Sequence, residues 1–151
     1  MRPSLQTSSF RGLFRLSLGM LSLRRTYNSF GAPDKLASYW SMGLAWRHNF
    51  DVRLTDSGTG TTRTVLVYRD DGHQVAFQGF QGGIAIQRDE RLTLMAYTTS
   101  SVRYEIIDED GRVESYDADG RLTAIRNIAG LGITLSYDSV GRLAIRGGSA
   151  C

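Results

Sequence analysis

His48 and Asp51 stand three residues apart in the stretch WRHNFD, and an imidazole oriented by a carboxylate is the pairing that serves as a general base. A base needs a group to activate, and no serine or cysteine stands in a recognisable nucleophile setting. The structural alternative is that Trp46 and Phe50 pack inward while Arg47, His48 and Asp51 make local polar contacts. We expect no catalytic residue in the chain, and His48→Ala to leave any activity unchanged. His73 follows a turn glycine, Gly72, and is expected to face solvent.

The acidic stretches Asp108–Gly111 and Asp117–Gly120 invite comparison with calcium loops, because hard cations need several carboxylate oxygens. An EF-hand loop starting at Asp108 would need glycine at its sixth position and glutamate at its twelfth, and Val113 and Asp119 stand there. Turn chemistry is the reading for these carboxylates, and no metal is expected. GTGTTR (Gly58–Arg63) has two glycines of a dinucleotide fingerprint but Arg63 in place of the third and no βαβ context; it reads as a polar loop, and no cofactor is expected. The sole cysteine, Cys151, is the last residue, which leaves no partner for an internal disulfide and no cysteine zinc cluster. Tyr116 and Tyr137 could form a sugar-binding aromatic row or could cover neighbouring strands; the second reading is preferred.

The elements that position these residues are short and β-rich. Seventeen glycines against two prolines suit a chain of tight turns. TVLVY (Thr64–Tyr68), QVAF (Gln74–Phe77), IAI (Ile84–Ile86) and RLTLMAY (Arg91–Tyr97) are separated by Asp- and Gly-rich stretches, the signature of antiparallel hairpins. Asp71-Gly72, Asp110-Gly111 and Asp119-Gly120 mark turns. In VRYEI, Val102, Tyr104 and Ile106 alternate with Arg103 and Glu105, predicting a strand with one covered face and the charged pair facing water. Leu122 and Ile125, three apart, require a bulge or cover on both faces. The apolar start permits either a helix over Phe10–Arg25 or a strand; we favour a strand near Leu18–Tyr27, with Met1–Gly12 loose. Arg15 and Arg24–Arg25 interrupt that stretch, so neither a signal peptide nor a membrane span is read there.

Charge is uneven. Residues 1–53 hold eight basic and two acidic groups, residues 54–151 ten and thirteen. The basic groups of the first part are scattered among Leu, Ser and Phe without a nucleic-acid-binding motif, and no nucleic-acid partner is expected.

YDADGRLTAI (Tyr116–Ile125) returns twenty-one residues later as YDSVGRLAIR (Tyr137–Arg146). A phrase repeated in so short a chain marks a structural unit paired with its own copies. If Gly120 and Gly141 adopt positive φ, a valine at either should destabilise the fold, Asp119→Asn should do little, and Leu122 and Leu143 should be buried.

The stretch from Tyr116 to Leu143 resembles the YD repeat of the RHS family. LSLRRTYNSF (Leu21–Phe30), MGLAWRHNFDVRL (Met42–Leu54) and YRDDGHQVAF (Tyr68–Phe77) are similar to the region that precedes the first repeats in that family. Departures are Ala45 where glycine is usual, and RNIAGLG (Arg126–Gly132), which lacks the usual polar turn. The resemblance implies an all-β fold of short antiparallel strands and hairpins, an open spiralling sheet that is a fragment of a hollow shell. It divides the chain into an ill-defined segment 1–20, a head region 21–100 and YD repeats 101–151. The repeat residues are Tyr116, Asp117, Gly120, Arg121, Leu122, Tyr137, Asp138, Gly141, Arg142 and Leu143. The implied function is non-catalytic: a wall segment enclosing a C-terminal toxin for delivery, often by type VI secretion. Its partners would be the rest of the shell, the toxin cargo and secretion-apparatus proteins, with self-association of the open edge. A bacterial cytoplasmic origin followed by export is implied. The rival is a β-repeat module binding a surface carbohydrate or a partner.

Overall fold

Val65, Val67, Val75 and Phe77 are buried and alternate with more exposed neighbours, so the period-2 pattern of the sequence becomes a sheet with one covered face. The computed structural model describes residues 10–12, 23–27 and 46–148, with side chains from Arg47 to Arg146. Residues 18–22 of the expected first strand, residues 28–45 of the head motifs, the Trp46 side chain and Cys151 lie outside the described residues.

The chain divides into two units, residues 1–51 with 69–73, and residues 52–68 with 74–151. In the first, β1 (Phe10–Gly12), β2 (Leu23–Tyr27) and β3 (Trp46–His48) form an antiparallel sheet in the order β1-β2-β3. Phe10–Gly12, expected to be loose, pairs with Leu23–Arg25. Three residues are too few to display a period-2 pattern, so nothing in the side chains announces this strand.

The second unit holds two antiparallel sheets. β4 (Arg53–Ser57), β5 (Thr64–Tyr68) and β6 (Gln74–Phe77) make the smaller, in sequence order. Leu54 stands opposite Val67, Val67 opposite Val75 and Val65 opposite Phe77, which collects the buried aliphatic groups on one face. The only helical piece among the described residues is a 3-10 turn at Gly60–Thr62 between β4 and β5, in the exposed GTGTTR loop.

The larger sheet is an uninterrupted meander: β7 (Ile84–Gln87), β8 (Leu92–Ala96), β9 (Tyr104–Ile107), β10 (Val113–Tyr116), β11 (Leu122–Arg126), β12 (Gly132–Tyr137) and β13 (Leu143–Gly148). It is open, with β7 and β13 at its edges. Its covered face carries Ala85, Leu92, Leu94, Tyr104, Ile106, Tyr116, Leu122 and Leu135. Val102 lies just before β9 and is half-buried, and Glu105, on the opposite face of β9 from Tyr104 and Ile106, is half-exposed. The bulge required by Leu122 and Ile125 is present: Tyr116 faces Leu122 while Ser115 faces Ala124, leaving Thr123 as the extra residue. Thr123 Oγ1 donates to the Ser115 carbonyl at 3.1 Å.

Candidate functional site

Four turns of the larger sheet share one design: Asp108–Arg112, Asp117–Arg121, Asn127–Leu131 and Asp138–Arg142. In each, the first residue's N–H donates to the fifth residue's carbonyl, at 2.9–3.1 Å, and the glycine's N–H donates back to the first residue's carbonyl, at 2.9–3.1 Å. These are three-residue hairpin loops, a tight turn closed by a glycine in the left-handed region. Gly111, Gly120, Gly130 and Gly141 have φ of 76°, 73°, 77° and 80°. The first side chain finishes the turn. Asp117 Oδ1 accepts the N–H groups of Asp119 at 3.0 Å and Arg121 at 2.8 Å, and Asp138 Oδ1 accepts those of Val140 and Arg142. The Asp in the repeated phrase therefore stands in for two missing backbone acceptors, and the glycine supplies the reversed backbone.

Asn127 does the same work, with Oδ1 accepting from Ala129 and Leu131 at 3.0 Å each. The stretch RNIAGLG, expected to lack a polar turn, has one, because an amide oxygen accepts as a carboxylate oxygen does. Asp108 likewise accepts from Asp110 and Arg112; Asp108 and Asp117 aim an oxygen at turn amides. The same backbone pattern occurs at Arg69–His73, where Gly72 has φ of 89° and His73 is exposed.

The two copies of the phrase differ in burial. Tyr116 is fully buried and its hydroxyl donates to Glu114 Oε2 at 2.8 Å. Tyr137 is half-buried; its hydroxyl donates to the Leu122 carbonyl at 2.9 Å, and the Arg121 guanidinium lies 5.7 Å from its ring centroid. Both rings cover neighbouring strands. Leu122 is fully buried, whereas Leu143, expected to be buried, is half-exposed because β13 is the last strand of the sheet. Arg142 Nε donates to Asp138 Oδ2 at 2.6 Å. The Arg142 backbone amide, and then its guanidinium, hold the Asp138 carboxyl below the ordinary aspartate range.

The Gly120 turn meets a second strand. Leu54 N–H donates to the Gly120 carbonyl at 2.9 Å, and Arg53 forms an antiparallel bridge with Arg121. A Cβ built on Gly120 would overlap the Leu54 carbonyl oxygen, whereas one built on Gly141 has no described atom within 4 Å.

Sequence reasoning missed a polar cluster on β4. Asp56 accepts from Arg63 Nη2 at 2.7 Å and from the Tyr104 hydroxyl at 2.9 Å, and the Arg63 guanidinium lies 4.5 Å from the Phe80 ring centroid. Burial would lift the Asp56 carboxyl, but the Arg63 and Tyr104 hydrogen bonds outweigh it and hold it low. Burial and the Asp56 bond push the Tyr104 hydroxyl up. Asp56 and Tyr104 are 48 residues apart, so no local pattern joins them.

His48 and Asp51 are both buried and do meet, with Nε2 3.2 Å from Asp51 Oδ1. His48 Nδ1 accepts the Phe50 N–H at 3.1 Å, and Asp51 Oδ2 accepts the His48 N–H at 3.0 Å. A general base needs a ring nitrogen open to substrate, and here one nitrogen accepts a backbone amide while the other faces the carboxylate. The pair pins the turn after β3.

Residues 116–149 match the family model described as RHS Repeat, and residues 15–77 match a domain of unknown function, DUF6531. The second is an N-terminal region typical of RHS proteins. The chain belongs to the RHS/YD-repeat family. The RHS repeat is a structural repeat, and its matched span contains three of the four equivalent turns in full, those starting at Asp117, Asn127 and Asp138. No curated protein matches the chain.

Proposed function

We propose that this chain is a non-catalytic wall segment of an RHS shell that encloses a C-terminal toxin or effector for delivery. The observation that carries this reading is the open meander itself: seven strands, the last five of them joined by one turn design, ending on β13, an edge strand whose apolar residues Leu143 and Ile145 are only half-covered. A repeat unit of this kind buries its apolar face by adding neighbours, so β13 is suited to receive the next strand of the wall. Tyr116, Asp117, Gly120, Arg121 and Leu122, with Tyr137, Asp138, Gly141, Arg142 and Leu143, act as turn and strand residues of that wall. The buried Tyr116 ring and the engaged Tyr137 hydroxyl favour this role over carbohydrate recognition.

The remaining partners are further shell strands, the cargo and a secretion apparatus such as the type VI system, in a bacterial cell that exports the assembly. The test is to express the gene with whatever reading frame follows Cys151 and treat the product with protease. Further YD phrases and a C-terminal fragment protected from protease until the shell is denatured support the proposal. A product whose C-terminal part is digested as fast as free polypeptide overturns it.

A further inference from the structure

We draw no further inference here: the strongest candidate, the open cleft along edge strand β7 where the exposed Ile84 and Ile86 meet Gln78, Gln81 and Arg88, carries nothing, because nothing in the structure shows what covers it.

Discussion

Alanine placed at Gly120 and at Gly141 should give unequal losses of stability, although the two glycines hold the same place in the repeated phrase. Their φ values are 73° and 80°, in the region where an L-residue costs roughly 1–2 kcal/mol. At Gly141 that is the whole effect, because the added methyl has open space. At Gly120 the methyl overlaps the Leu54 carbonyl, so β4 must move and the Leu54 N–H to Gly120 bond is lost. Leaving a buried backbone group without its partner costs a further ~1–3 kcal/mol, which brings Gly120→Ala to about 2–5 kcal/mol. For a domain of this size each kcal/mol lowers Tm by roughly 2–4 °C. Gly141→Ala should therefore melt a few degrees below wild type and Gly120→Ala distinctly lower again. Differential scanning calorimetry of both variants is the assay. Equal losses would refute the claim that β4 rests on the first turn, and two wild-type melts would refute the turn design itself.

Asp117→Ala removes the acceptor for two turn amides and should cost about 1–2 kcal/mol by analogy with a lost helix cap, while Asn127→Asp should be nearly neutral in the same chemical denaturation series. His48→Ala strips the acceptor from the Phe50 amide and leaves Asp51 buried beside an empty site; the expected outcome is ~1–3 kcal/mol of lost stability, measured by urea titration. Asp56 and Asp138 have folded-state carboxyls below the unfolded aspartate value of about 3.9. Each therefore stabilises the fold above that pH, and the contribution disappears as pH falls through the lowered value. Carbon-detected NMR titration of the aspartate carboxyls should place both midpoints below those of an unfolded reference peptide.

The strands and the Asp-Gly turns were legible because they are local: the alternation in TVLVY and QVAF and the three Asp-Gly pairs state their structure within a few residues. Asn127 was legible in principle, since Asn-x-x-Gly has the spacing of Asp-x-x-Gly, but the apolar Ile128 and Leu131 around it hid the match. The unequal fate of the two glycines was not legible. It depends on β4, far upstream of Gly120 in the chain, and the phrase itself is the same at both places. The half-exposure of Leu143 has the same origin: the residue type asks for burial, but burial comes from a neighbouring strand, and among the described residues β13 is an edge strand of the sheet. The Asp56 cluster joins β4 to β9 and has no sequence signature. His48 and Asp51 meet as their spacing suggests, and it took the Phe50 amide on Nδ1 to distinguish a pinned turn from a base.

The most direct test of the wall account is the association state of the purified chain, measured by size-exclusion chromatography with light scattering over a range of concentrations. An open β-edge with half-covered Leu143 and Ile145 is a template for pairing. The account predicts concentration-dependent association that is reduced by Ala144→Lys, a charge on that edge. A wild-type chain that stays monomeric at high concentration would contradict it and make the chain a self-contained domain.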